Sequence, residues 1–180
     1  MEWFEHVELF CEAVEKLDSV SGMVRLHPSD RIERYKAIID RYSRVCFIEN
    51  HRATLDESIM SSDVVVVQGS GVGGDALVKR RPVVVLIYNA KPTSYATELI
   101  QCAACPHART SDELSEILHK ILNDESFRRQ LALNAETYVE KFCHIFGEES
   151  ARLTADLVRK IVKCPQSQRA HVDNNNMVMP

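Results

Sequence analysis

The stretch that most constrains this chain is Asp63-Val64-Val65-Val66-Val67-Gln68-Gly69-Ser70-Gly71-Val72-Gly73-Gly74-Asp75. Four consecutive β-branched residues without polar alternation predict a strand buried on both faces, as in a parallel sheet. Gly69, Gly71, Gly73 and Gly74 then turn the chain, and Asp75-Ala76-Leu77-Val78-Lys79 is suited to open a helix. A buried strand, a glycine turn and a helix start present backbone N–H groups and a positive dipole end, which fits a phosphate.

The flanking sequence alternates between helical and strand patterns. Residues Trp3 to Leu17 place Phe4, Val7, Phe10 or Cys11, Val14 and Leu17 at helical spacing with acids between them. Gly22-Met23-Val24-Arg25-Leu26 reads as a short strand, and His27-Pro28 ends it with the imidazole at the strand's C-terminal edge. Ser29 or Asp30 is positioned to cap a helix running to about Tyr42, with Ile32, Tyr35, Ile38 and Ile39 as its apolar stripe. Val45 to Ile48 is the next strand, and Glu49-Asn50-His51-Arg52 is a polar loop beyond it.

Thr54-Leu55-Asp56-Glu57 is a capping box opening a helix through Met60. After the valine strand, Val83 to Tyr88 is another apolar strand, followed by a loop over residues 89–94, a segment at 95–101 and a short last strand within 102–107. Thr110 to Glu113 is a second capping box, with helices to Leu122, from Glu125 to His144 and from Glu148 to Val162. The expected class is therefore α/β: a Rossmann-like parallel sheet with helices on both faces, spanning residues 1–163. Residues 164–180, with little to bury, are expected to form a disordered tail.

In such sheets ligands sit at the C-terminal ends of the strands. His27, the Glu49–Arg52 loop, the glycine turn and the Asn89–Ser94 loop are all expected on that edge. A length of 180 residues supports one domain with a real core. Lys and Arg total 22 against 26 Asp and Glu, so no global basic field points to nucleic acid. No apolar run approaches the roughly 20 residues that span a bilayer, and the N-terminus lacks a signal-peptide pattern. The location expected from this is cytoplasmic, with peripheral association at the inner membrane surface through a partner left open.

Gly69-Ser70-Gly71-Val72-Gly73-Gly74 formally satisfies G-x-G-x-x-G, so NAD(P) binding is one reading. That fingerprint belongs after the first strand of its unit with an acid about 20 residues on, whereas here two strands precede it and Tyr88-Asn89-Ala90-Lys91 carries no carboxylate. No G-x-x-x-x-G-K-[ST] loop exists. Cys102-Ala103-Ala104-Cys105 is a lone C-x-x-C without a second ligand pair for zinc. No metal and no cofactor is expected, and the cysteines are expected to be reduced core residues.

Arg25-Leu26-His27-Pro28, Ser61-Ser62-Asp63-Val64-Val65-Val66, Gly69-Ser70-Gly71 with Asp75-Ala76-Leu77, and Arg81-Pro82-Val83-Val84-Val85-Leu86 stand in an ordered series. That series resembles the C-terminal, nucleotide-sugar-binding domain of GT-B glycosyltransferases. The closest flavour is the capsule-polysaccharide, CDP-glycerol glycerophosphotransferase and UDP-N-acetylglucosamine 2-epimerase group. The resemblance covers roughly Glu5 to Lys163. It implies that His27, Ser70, Gly71 and Gly73 line the diphosphate and that Asp75, standing where Glu is commoner, holds the ribose hydroxyls. It implies that the loop with His51 and Arg52 meets the base. Arg25 is a nearby cation that would help stabilise a diphosphate leaving group without a metal.

The bland readings stand beside these. His27 also suits a strand end, Asp75 a first-turn helix acid, and His51 and Arg52 a solvated loop.

The implied function is the donor-binding half of a glycosyl- or glycerophosphotransferase in polysaccharide or cell-envelope synthesis. The implied ligand is a UDP- or CDP-activated sugar, or CDP-glycerol. The alternatives are a UDP-sugar epimerase-like domain and a non-catalytic, truncated or partner subunit. The related domains begin with a central strand ahead of the first helix, and here that strand and the acceptor domain are not seen. The expectation is a fragment, or a chain whose partner supplies the acceptor domain, and no catalytic residue is assigned.

Overall fold

The computed structural model describes residues 5–87, 94–101, 103–143 and 147–163. In chain order the elements are α1 (Glu5–Glu15), β1 (Gly22–Arg25), α2 (Glu33–Ile39), β2 (Val45–Ile48), α3 (Leu55–Met60), β3 (Val65–Val67), α4 (Val72–Val78), β4 (Val83–Leu86), α5 (Ser94–Gln101), β5 (His107–Ala108), α6 (Ser111–Asn123), α7 (Glu125–Phe142) and α8 (Gly147–Lys163). The alternation makes the expected α/β class, with parallel strands flanked by helices. Helix α8 falls in a separate compact unit that starts at residue 143. The expected tail and most of the Asn89–Ser94 loop lie outside the described residues.

Among the described residues the strands form two parallel sheets. One is β1-β2, with Gly22 opposite Val45 and Arg25 opposite Ile48. The other is β3-β4-β5, with Val65 opposite Val83 and Val85 opposite His107. Alternation along the strands assigns helices to faces. Val84 and Leu86 pack with Ala13 of α1 and Leu114, Leu118 and Ile121 of α6. On the other face, a Cβ on Gly73 of α4 would meet Leu99 of α5 and Val67 and Val83 of the sheet. Across β1-β2, Val45 packs with Val7, Cys11 and Val14 of α1 and Tyr35 and Ile39 of α2. Phe10 joins both clusters, so α1 bridges the two sheets.

The expectation that the valine strand is buried on both faces is only partly met. Val67 is buried, but Val64, Val65 and Val66 are half-buried. The strand that is buried throughout is β4, at 0–3% exposure from Val83 to Leu86. The difference is neighbours, because among the described residues β4 pairs on both edges and β3 pairs only with β4.

Capping follows the sequence at α3. Thr54 Oγ1 accepts from the Glu57 N–H at 3.2 Å while Glu57 Oε2 accepts from the Thr54 N–H at 2.7 Å. At α6 only half the box forms: Thr110 Oγ1 accepts from Glu113, but the Glu113 carboxylate turns to the Arg109 N–H at 2.6 Å. The expected Ser29 or Asp30 cap does not form. Helix α2 starts at Glu33, after Ile32, because residues 27–30 are held in a turn by the Asp30 N–H to His27 carbonyl bond.

Candidate functional site

The C-terminal ends of β1, β2 and β3 carry the residues picked out by sequence. The four-glycine turn is shorter than expected, because α4 starts at Val72 and takes Gly73 and Gly74 into its first turn. Gly69 does the turning, at φ +112, a conformation that favours glycine. Gly71 is the helical N-cap residue, and nothing lies within 4 Å of where its Cβ would stand. Gly73 faces inward instead, with Leu99 Cδ1 3.0 Å and Val67 Cγ2 3.3 Å from the place a Cβ would occupy. One glycine therefore keeps the mouth of the turn open, and the other lets α4 lie close on β3 and β4.

Ser70 is exposed, and its Oγ accepts from the Val72 N–H at 3.3 Å. Its carbonyl takes the Gly73 N–H at 3.1 Å, so the serine closes the first turn of α4 itself. Asp75 is exposed in that first turn, where a carboxylate is favoured by the dipole. His27 is exposed beyond β1. Its Nδ1 accepts the Ser29 N–H at 3.2 Å and lies 2.7 Å from the Ser29 hydroxyl, which leaves Nε2 to carry the ring proton outward from that turn.

After β2, the Glu49 carboxylate gathers both basic side chains of the loop, His51 Nε2 at 3.2 Å and Arg52 Nε at 3.3 Å. His51 and Arg52 side chains are about three-quarters exposed, at 76% and 74%. Arg25 points to the other face of β1 from the α1 side, where Nη1 donates to the Ala53 carbonyl at 2.8 Å and to Ser58 Oγ at 3.1 Å. Its guanidinium is thus tied into the start of α3. Among the described residues no hydrogen bond or ion pair joins His27, Ser70 and Asp75 to one another.

Ser58 escaped sequence reasoning although it is one of two buried polar residues among those described. Its hydroxyl donates to the Thr54 carbonyl at 2.9 Å one turn back, and the only sequence signal for it was the capping box itself. Among the described residues no group of three or more His, Cys, Asp or Glu is placed to hold a metal ion. No described helix is long and apolar enough to cross a membrane.

No known family model matches the chain. None of the curated proteins matches it by sequence. Among solved structures, the glycotransferase of kitacinnamycin is similar over 89% of this chain at a TM-score of 0.53 and 14% identity. The chain spans 40% of the length of that protein. The fold is a Rossmann-like α/β arrangement of parallel strands flanked by helices, matching part of that glycotransferase's structure.

Proposed function

We propose that the chain binds a nucleotide-diphosphate-activated donor, a UDP- or CDP-sugar or CDP-glycerol. It does so as the donor half of a GT-B-like glycosyl- or glycerophosphotransferase in cell-envelope or polysaccharide synthesis. The observation that carries this reading is the open turn at Gly71, set between exposed Ser70 and the first turn of α4 at the C-terminal end of β3. A phosphate can approach a backbone that carries no side chain there, beside the exposed Ser70 hydroxyl. The likeness to a glycosyltransferase supports placing that chemistry in donor recognition.

In this reading His27 Nε2 and Ser70 Oγ donate to the diphosphate and Gly71 supplies its backbone path, while Gly73, which faces inward, only lets α4 pack close behind it. Asp75 accepts from the ribose hydroxyls. His51 and Arg52, held by Glu49, meet the base. Arg25 contributes its positive field while its N–H groups stay on Ala53 and Ser58. The acceptor is bound by polypeptide outside this chain, and any membrane attachment comes through that partner. Titrating the labelled protein with UDP and then CDP, followed by amide shifts, tests the reading. Shifts centred on His27, Ser70, Gly71 and Asp75 are expected; shifts confined to other surfaces, or none, would refute it.

A further inference from the structure

We propose that Ser29 is the positioning residue for His27. It locks the imidazole as a donor through Nε2, so that the ring holds an acceptor oxygen and takes up no proton there. The lock stands on geometry, and its use toward a diphosphate rests on the proposed donor-binding function. His27-Pro28-Ser29-Asp30 forms a four-residue turn, closed by the Asp30 N–H on the His27 carbonyl at 2.9 Å. Pro28 supplies the fixed φ that suits the second position of such a turn. The turn is also held from the core, where the Tyr35 hydroxyl donates to the Asp30 carboxylate and Tyr35 itself is buried. Both residues that suit a cap for α2 are thus committed elsewhere, and α2 begins after Ile32 with no side-chain cap. Ser29 spends its donors on His27 instead.

A backbone N–H can only donate. At 3.2 Å from Nδ1, the Ser29 amide needs the ring's lone pair on that nitrogen, and a proton there would face the amide hydrogen. The Ser29 hydroxyl, 2.7 Å from the same nitrogen, rotates to add a second donor. A neutral ring with its lone pair at Nδ1 carries its proton at Nε2, which then has no lone pair to offer. Two consequences follow for the exposed edge of His27. The atom that Nε2 meets is an acceptor, which suits a phosphate oxygen and excludes a hydroxyl waiting to be deprotonated. A base for the acceptor hydroxyl is therefore a group other than His27. The second consequence is aim: with Nδ1 tied to the residue two along, the direction of the Nε2 donor is set before a ligand arrives, so less freedom is lost on binding.

Long-range nitrogen–proton correlation spectra of the neutral His27 ring, recorded on the free chain, test the lock without a ligand. The unsubstituted chain should show one tautomer, protonated at Nε2. Ser29→Ala keeps the amide and loses the hydroxyl, so its two ring-nitrogen shifts should move toward each other, and Ser29→Thr should return them. All three proteins should share one far-ultraviolet circular dichroism spectrum and one melting temperature. Titrations of the same samples with UDP and CDP read the consequence: Ser29→Ala should weaken binding about threefold, and Ser29→Thr should restore it. A ring protonated at Nδ1 or averaged between tautomers in the unsubstituted chain would overturn the proposal, as would ring shifts that Ser29→Ala leaves unmoved. Unchanged nucleotide affinity in a Ser29→Ala protein whose ring is released would overturn the positioning role. A locked ring in a chain that binds neither UDP nor CDP would remove the donor-binding function and leave the lock established.

Discussion

The Arg25 guanidinium donates to the Ser58 hydroxyl at 3.1 Å, joining the end of β1 to the buried side of α3. The same Nη1 holds the Ala53 carbonyl at 2.8 Å, so one cation fixes the end of the loop that carries His51 and Arg52. Replacing Arg25 with Ala leaves both oxygens without this partner. The expected cost is about 1–3 kcal/mol, seen as a lower urea midpoint at unchanged m-value. Arg25→Lys, with a shorter side chain that keeps the charge, should recover part of the loss.

The two glycines at the start of α4 should respond in opposite ways. Gly73→Ala pushes a methyl to within 3.0 Å of Leu99 and 3.3 Å of Val67, both in the packed interior. Overpacking of this kind costs about 1–3 kcal/mol, partly offset by a helix propensity gain of about 1 kcal/mol. Gly71→Ala meets nothing within 4 Å and keeps a helical φ of −53, so stability should change by less than about 0.5 kcal/mol. If Gly71 is the phosphate approach, that same variant should weaken donor binding. Paired melting curves and titrations of the two variants separate packing from ligand access.

Acid should weaken the fold from its helix starts. Hydrogen bonds from the Thr54 backbone and hydroxyl hold Glu57 below the usual carboxylate range. The Phe127 N–H and the Ser126 hydroxyl do the same for Asp124, and Arg128 and Arg129 for Glu125. Each folded-state value lies below its unfolded one, so the stabilisation is present above the unfolded pKa and lost as pH falls through the folded one. The melting temperature should decline from about pH 5 down to about pH 3. Thr54→Ala should cost about 1 kcal/mol at neutral pH and flatten part of that decline.

Thiol reactivity should divide sharply by burial. Cys11 is fully buried, and burial pushes its thiol up to about 12, so no thiolate forms near neutral pH. Cys46 is exposed on β2. A thiol reagent at pH 8 should label Cys46 promptly and Cys11 only at the rate of unfolding. Prompt labelling of Cys11 in the folded protein would contradict the packing of α1 on β1 and β2.

The order of elements is legible in the sequence because each signal is local: β-branched runs, two Thr-x-x-Glu starts and a proline after β1. Thr54 forms its full box with Glu57, whereas the Glu113 carboxylate takes the Arg109 N–H instead, a choice between neighbouring backbone donors that the shared Thr-x-x-Glu pattern does not reveal. The start of α4 is less legible, since Gly73 and Gly74 read as turn formers but adopt helix where their lack of a side chain allows close packing. The half-exposure of Val64 to Val66 is not legible either, because burial of a strand depends on its neighbours and not on its own composition. At the site, local patterns are enough to put His27, Ser70 and Asp75 at strand ends. They carry no sign that Arg25 commits its hydrogen bonds to Ala53 and Ser58, a tertiary contact across 33 residues for the latter.

The central claim is tested most directly by calorimetric titration of the folded chain with UDP, CDP, a UDP-sugar and CDP-glycerol, repeated with His27→Ala and Ser70→Ala. Saturable one-to-one binding of at least one of these ligands is expected, weakened about tenfold or more in each variant while the far-ultraviolet circular dichroism stays unchanged. Absence of binding to all four ligands by the folded wild-type chain, or binding that neither substitution alters, would contradict it.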